Sequence, residues 1–310
     1  TLWRPDVVLT GAPALVCAPI GWLTARLSGA QAWLHVQDFE VDVALQMGLL
    51  KGEVFGRTIR AIESMLLKRF DVVSTISERM RQHLLRKGVA AQRTHLFVNW
   101  ADVERIKPLT QPSSYRAELG LAATTRVALF SGTLSAKQGL TVIPEAARLL
   151  AHRHDVLFVV CGGGAMQAEL ELAARTLPNL RLLPLQPLER LGELLGLADV
   201  HLLPQSQEAE DLVLPSKLTG MLASGRPVVA TCRADTELAA VVGQFGRVVP
   251  PGDARALAQA VTDLVADPAQ RKVLGERARA HALLHLARDG VLQALVRRMQ
   301  PGTPQAQAST

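Results

Sequence analysis

Two stretches of this sequence join a loop to a lysine in a way that could hold an anion. The first is Ser131-Gly-Thr-Leu-Ser-Ala-Lys-Gln-Gly139, directly after the apolar run Val127–Phe130. The second runs from Asp211 through Leu214-Pro-Ser-Lys217 to Ala223, then through Ser224-Gly-Arg-Pro227 into the apolar run ending at Ala230. It reads as a loop, a helix opening at Pro215, and a turn into a buried strand. Proline suits the first helical position because its missing N–H would be unpaired there anyway. The amides of Ser216 and Lys217 then point outward at the helix start, and the lysine adds a full charge to the dipole. Lysine is scarce here. Of 34 lysines and arginines only Lys51, Lys68, Lys87, Lys107, Lys137, Lys217 and Lys272 are lysine, and two of them sit in these motifs. A lysine at a helix start opposes the dipole unless an anion is present, which weighs against two solvated surface lysines.

Other constellations carry less. Gly162-Gly-Gly164 follows a strand and opens a helix, so backbone can approach a ligand closely, although such turns also close ordinary connections. Glu208, Glu210 and Asp211 lie beside the second motif; their carboxylates could accept hydrogen bonds from ligand hydroxyls or form a solvated loop. His281 and His285 are spaced i, i+4 without a third ligand nearby, which favours a surface pair over a metal site. No Gly-x-Gly-x-x-Gly, Walker A or Gly-x-Ser-x-Gly pattern follows a strand, which disfavours a dehydrogenase, a P-loop enzyme or an α/β-hydrolase.

The elements that must position these residues alternate. In the first part, strands are expected at Val7–Leu9, Ala32–Val36, Asp71–Ile76 and His95–Val98, with helices near Leu15–Leu27, Gly56–Lys68 and Glu78–Lys87. Ser77 is the expected cap of the third helix. Residues 103–125 read as an interdomain connection. The second part is expected to carry strands at Arg126–Phe130, Val156–Cys161, Leu180–Leu183, Val200–Leu203, Pro227–Ala230 and Arg247–Val249. Helices near 140–152, 166–176, 188–195, 216–223, 237–242 and 254–265 separate or follow them, and two more cover about 269–284 and 287–298. Continuous apolar strands alternating with helices imply parallel α/β sheets covered on both faces. Ligands in such sheets sit beyond the carboxyl ends of the strands, where Ser131–Lys137, Gly162–Gly164 and the loop before Pro215 fall.

At 310 residues, 48% apolar and 20% charged, the chain has room for two folded domains. Its net charge of +6 suits an anionic ligand or membrane surface. No basic run is interleaved with aromatics and no zinc-finger spacing occurs, so nucleic acid is not an expected partner. Cys17, Cys161 and Cys232 are too few and too far apart for a disulfide framework, which favours a reducing cytosol and thiols packed as small apolar groups. Gly11, Pro13, Pro19 and Gly21 interrupt the uncharged run Val7–Ala25, which therefore reads as strand, loop and core helix rather than a membrane span. The chain opens without a methionine and enters its first strand at once, as though a preceding portion were missing. Pro301–Thr310 reads as a disordered tail.

The 131–139 loop, Pro215-Ser-Lys-Leu218 and Ala223-Ser-Gly-Arg-Pro-Val-Val229 together resemble the family 4 glycosyltransferases of the GT-B fold. His35-Val-Gln-Asp-Phe-Glu-Val-Asp42, Ser74-Thr-Ile-Ser77 and Asn99-Trp100 are similar to the colanic acid biosynthesis fucosyltransferase group, bacterial enzymes of exopolysaccharide assembly. The resemblance covers about residues 5–300. It implies two facing Rossmann-like domains with parallel sheets. Residues 1–110 would form an acceptor-side domain truncated at its start, and 111–285 a nucleotide-sugar-binding domain. Residues 286–300 would be a helix crossing back, and 301–310 the tail.

The resemblance also implies a retaining transferase of hexosyl type that needs no metal or other cofactor. Its donor would be a nucleotide sugar, with GDP-fucose suggested by the subfamily. Its acceptor would be lipid-linked or a growing polysaccharide, in the cytoplasm or at the inner face of the membrane, with peripheral membrane contact. The donor would meet Ser131, Gly132, Thr133, Lys137, Gly163, Gly164, Gln186, Glu210, Asp211, Leu214, Pro215, Ser216 and Lys217. Lys137, Asp38 and His35 would take part in catalysis. Without a metal, the charge growing on the leaving diphosphate would fall to Lys137, the Gly132–Thr133 backbone and the Ser216–Lys217 helix start. The released phosphate oxygen could itself take the acceptor's proton.

The sequence also departs from the pattern. The family's paired glutamates fall on Gly220 and on or near Leu212, so Glu210 or Asp211 would have to substitute for them. Thr133 replaces the usual arginine or asparagine, and the acceptor-domain histidine is His35 or is replaced by Gln37. The first strand and its glycine-rich loop are absent. These departures keep two other readings open: a nucleotide-sugar epimerase of the same fold, and a truncated module that binds nucleotide sugar without turning it over.

Overall fold

Short apolar segments separated by amphipathic ones dominate the chain, and they form two parallel sheets in two units. The computed structural model describes residues 3–11, 14–46, 53–206 and 214–300.

In the first unit, β1 (Val7–Gly11), β2 (Gln31–Val36), β3 (Val72–Thr75) and β4 (Thr94–Leu96) pair in the order β1-β2-β3-β4, every pair parallel. Five of the six β2 residues are buried, as expected of a strand covered on both faces. Helices α1 (Ala14–Ser28), α2 (Glu40–Gln46), α3 (Glu53–Leu67) and α4 (Glu78–Arg86) alternate with the strands. Ser77 caps α4 as expected, its Oγ accepting from the Met80 amide at 3.3 Å. Helix α2, of seven residues, was not anticipated. Leu34, Phe39, Leu67, Phe70, Val73 and Met80 form the centre of the core.

In the second unit, the short helix α5 (Tyr115–Glu118) precedes β5 (Arg126–Ser131), α6 (Val142–Leu149), β6 (Val156–Cys161), α7 (Gln167–Thr176) and β7 (Leu180–Leu183). Then come α8 (Leu191–Gly196), β8 (Val200–Pro204), α9 (Lys217–Ala223), β9 (Val228–Thr231), α10 (Glu237–Val242) and β10 (Gly246–Val249). Helices α11 (Ala254–Ala266) and α12 (Pro268–His281) close the unit. The six strands are parallel in the order β10-β9-β8-β5-β6-β7. From β5 the chain builds outward through β6 and β7 on one side, then returns to place β8 on the other. This reversal opens a crevice beyond the carboxyl ends of β5 and β8, the usual ligand position in such a sheet. Phe130, Phe158, Val160, Leu202 and Val229 fill one face of the sheet, and Val127, Leu129, Val159 and Tyr115 the other.

The first unit comprises residues 1–99, 211–214 and 289–310, and the second comprises 100–210 and 215–288. Residues 103–125 are therefore not a free connection. Val103, Ile106 and Tyr115 are buried, and the Ser113 hydroxyl donates to the Glu193 carbonyl at 3.0 Å. Helix α12 gives way to a π-turn over Ala282–Leu286, shorter than the helix expected to reach residue 284. Helix α13 (Arg288–Met299) follows, and its Leu295 packs with Trp33, Val72 and Phe97 of the first unit's core. Among the described residues, no helix is long and apolar enough to cross a membrane. The tail after Gln300 lies outside the described residues.

Candidate functional site: a lysine over the β5 loop

Strand β5 ends at Ser131, and Gly132 turns the chain with φ 146°, a region that favours glycine. The turn is pinned to the neighbouring one. The Gly132 amide donates to the Cys161 carbonyl at 2.9 Å, and the Leu134 amide to the Gly163 carbonyl at 3.0 Å. The Met166 amide returns to the Leu134 carbonyl at 3.0 Å. A Cβ on Gly162 would collide with the Gly132 carbonyl oxygen, and one on Gly164 with the Leu134 carbonyl oxygen. Gly162 and Gly164 are therefore needed first for the close packing of two loops, whereas a Cβ on Gly163 would meet nothing closer than Gln167 Oε1 at 3.8 Å. At the far end of the loop, a Cβ on Gly139 would meet the Gln205 carbonyl carbon at 2.8 Å, so the loops after β5 and β8 also run against each other.

Lys217 reaches into this assembly from the start of α9. Its Nζ donates to Gln138 Oε1 at 2.7 Å and lies 4.5 Å from the centroid of the Phe130 ring. A Cβ on Gly132 would stand 2.8 Å from that ammonium, so only glycine leaves room for it. Among the described residues no carboxylate pairs with this amine. Burial alone pushes it down, to about 8. A cation held against a ring face and one neutral amide is poised for an anion that would replace the lost hydration.

The helix start differs from expectation. Helix α9 begins at Lys217, with Ser216 as N-cap and Pro215 ahead of it. Leu218 and Thr219 donate to the Pro215 and Ser216 carbonyls at 3.0 and 3.2 Å, so the first turn is wound as 3-10. Pro215 is therefore outside the helix, and its carbonyl rather than its ring opens the turn. Ser216 is exposed and makes no side-chain cap.

The remaining residues separate into several places. Lys137 is exposed, within a 3-10 turn over Ala136–Gln138. Thr133 is exposed too, and Leu214 is half-buried against the first unit's core. Gln186 lies beyond β7, where its Oε1 accepts from the Tyr115 hydroxyl at 2.9 Å and its Nε2 donates to the Pro184 carbonyl at 2.8 Å. Glu208, Glu210, Asp211 and Leu212 lie outside the described residues. Gln138 and Phe130 were not anticipated as site residues. Gln138 was visible beside Lys137 in the same loop, whereas nothing in the sequence of β5 distinguishes Phe130 from a core residue.

In the first unit, His35 is the penultimate residue of β2, among buried neighbours. Its Nδ1 is 3.0 Å from Ser74 Oγ, which also accepts from Trp33 Nε1 at 2.8 Å, and its ring is 4.8 Å from that of Phe97. Burial lowers its pKa to about 4, against an opposing hydrogen bond with Ser74, so the ring is neutral near pH 7. Gln37 and Asp38 are exposed in the loop after β2. The rings of His281 and His285 meet at a tilt of 48° with centroids 4.7 Å apart, His281 also lying against Phe245. Among the described residues no three His, Cys, Asp or Glu side chains come together as a metal site.

Comparison with known proteins accords with this geometry. The family described as Glycosyl transferases group 1 matches residues 113–281, and the Glycosyl transferase 4-like domain matches residues 1–100. The chain is 36% identical over 304 residues to the "Putative colanic acid biosynthesis glycosyl transferase WcaI" of Escherichia coli strain K12, spanning 95% of this chain and 74% of that protein. It is 31% identical to a D-inositol 3-phosphate glycosyltransferase of Corynebacterium urealyticum, over 59% of this chain and 45% of that protein. Among solved structures, Anabaena Alr3699/HepE in complex with UDP superposes with a TM-score of 0.76 at 19% identity, over 94% of this chain and 78% of that one. The lipopolysaccharide glycosyltransferase WaaG superposes with a TM-score of 0.65 at 17% identity, over 88% and 76%. The chain belongs to the glycosyl transferases group 1 family and is a glycosyltransferase of the two-domain GT-B fold.

Proposed function

We propose that this glycosyltransferase moves a sugar from a nucleoside diphosphate to a lipid-linked or polysaccharide acceptor in bacterial exopolysaccharide assembly, retaining the anomeric configuration without a metal. The observation that carries the donor side is the half-buried Lys217 ammonium, held over Gly132 and Phe130 and unpaired with any described carboxylate. In this reading Lys217 and the Gly132–Thr133 backbone meet the diphosphate. Lys137 approaches from solvent as a second cation, and Gln186 and the residues around Glu210 and Asp211 meet the rest of the donor.

As the glycosidic bond breaks, negative charge grows on the leaving diphosphate. A fixed ammonium stabilises that charge more than it stabilises the ground state, and this lowers the barrier. The departing phosphate oxygen then takes the acceptor proton, while His35 and Asp38 of the first unit orient the acceptor. A neutral His35 suits such a role, since it can hydrogen-bond a hydroxyl without adding charge. The 36% identity to WcaI supports the exopolysaccharide setting, and a fucosyl donor carried by GDP is the reading to test first.

The test is calorimetric titration with GDP, UDP and GDP-fucose, followed by transfer assays, for the wild type, Lys217→Ala and Lys137→Ala. The expected result is one preferred diphosphate whose binding is lost in Lys217→Ala, with transfer reduced about a hundredfold or more. Undiminished binding and turnover in both variants would overturn the assignment.

A further inference from the structure

At the opposite end of the second sheet lies a cavity of about 550 Å³. Arg126 opens β5, Asp199 immediately precedes β8, Pro227 immediately precedes β9, and α12 forms a wall along its length from Pro268 to Ala280. All of this lies at the amino ends of the strands, away from the Lys217 site at their carboxyl ends. Five cations line the cavity, Arg126, Arg226, Arg271, Lys272 and Arg279, against two carboxylates, Asp199 and Glu276.

Those carboxylates do not neutralise the cluster. Asp199 spends Oδ2 on the Val127 amide at 2.9 Å, and its Oδ1 stands 3.4 Å from Arg126 and 3.9 Å from Arg271. Glu276 is exposed and faces Lys272 at 3.9 Å. Arg279 is held by the carbonyls of Val103, Ile106 and Ala223, and Arg271 by those of Leu264 and Val265 at the end of α11. These are neutral partners that fix guanidinium groups without cancelling their charge. Arg226 is the least satisfied. It has one bond of 3.3 Å to the Gly196 carbonyl, its buried Nε has no partner, and no described carboxylate pairs with it. Burial and the neighbouring Arg116 push its pKa down, opposed by Asp199.

Rigid guanidinium groups gathered around a cavity, with a surplus of positive charge, match the forked recognition of phosphate. The volume lies within the range of small-molecule sites and exceeds what a bare ion needs. We propose that this cavity is a second ligand site that binds a small phosphate-bearing metabolite, separate from the donor site, with Arg126, Arg226 and Arg271 as its anion contacts.

Titration of the full chain with inorganic phosphate, followed by calorimetry and ³¹P NMR, tests this. Lys217→Gln removes the donor-site cation, while Arg226→Met and Arg126→Gln act on the cavity. Saturable phosphate binding is expected to persist in Lys217→Gln and to weaken about tenfold or more in each arginine variant, as for the loss of one charged hydrogen bond. Arg126 is half-exposed at the rim, so its variant decides the matter if Arg226→Met fails to fold. Binding that is lost in Lys217→Gln and unchanged in Arg126→Gln would return the anion to the donor site and overturn the proposal. So would the absence of saturable phosphate binding in the wild type.

Discussion

At the scale of single residues, Lys217 carries the most chemistry, and its burial gives it a pH signature. Its folded value of about 8 lies below the ordinary 10.5. Between those values the unfolded chain holds a proton that the folded one has lost, so stability of the free protein rises with pH there, and the cost of the buried charge is fully present below about 8. In the proposed reading donor affinity runs the other way, because the diphosphate would need the charged amine. Calorimetry at about pH 7 and about pH 9.5 is expected to show weaker diphosphate binding at the higher pH, with proton uptake on binding near pH 8. Affinity independent of pH across that range would separate Lys217 from the diphosphate. Cys161 is not part of this chemistry: burial raises its thiol to about 11, so it stays protonated, as the sequence suggested.

At the scale of elements, the loops after β5 and β6 behave as one piece. Gly162 sits at φ 153° with the Gly132 carbonyl where a Cβ would go. Gly162→Ala is expected to push that loop away from Lys217, costing about 1–3 kcal/mol in urea unfolding and weakening diphosphate binding together. Loss of stability with unchanged binding would mean that the loop is a packing device only. Helix α4 of the first unit offers a control. Ser77→Ala is expected to cost about 1 kcal/mol by removing the Met80 cap.

The end of α4 also carries a buried charge cluster, in which Lys87 Nζ meets Asp42 Oδ2 at 2.7 Å and Glu63 Oε2 at 2.5 Å, and His83 Nε2 meets Asp42 at 2.8 Å. The net effect on Asp42 is a fall to about 2; burial opposes that fall, and the hydrogen bonds and charges of His83 and Lys87 outweigh it. Its stabilisation is complete above its ordinary 3.8 and is lost as pH falls from there towards 2.

At the scale of the whole molecule, each unit has its own sheet and core. Lys87→Met would leave two carboxylates buried in the first unit without their shared cation. It is expected to cost about 3–5 kcal/mol there. In thermal unfolding only the first unit's transition should fall, while the transition protected by nucleoside diphosphate in the second unit stays in place. A uniform shift of both transitions would show that the units unfold as one. The organisation behind this experiment was partly legible in the chain. Alternating apolar runs predicted the ten strands of the described residues to within about two residues, because strands buried on both faces announce themselves as continuous apolar segments. Helices α2 and α5 escaped, the second because the prolines and serines around it read as a connection. The boundary at Asn99 was hidden because prolines and serines in 103–125 look like a linker, while Val103, Ile106 and Tyr115 in fact fill the second unit.

The sequence by itself determined the class of fold, the positions of the loops that end β5 and β8, and the family, because apolar periodicity and loop-to-helix lysines are local properties of the chain. Only the tertiary structure decided which lysine is drawn partly out of solvent. Lys137 and Lys217 look alike along the chain, but the order β8-β5-β6 brings α9 over Gly132 and leaves the 3-10 turn of Lys137 in solvent. The arginine-lined cavity is likewise a tertiary product. Arg126, Arg226 and Arg271 lie far apart in sequence, and parallel strands gather them by aligning their amino ends. Burial and charge surplus arise from that gathering, and no local pattern records them.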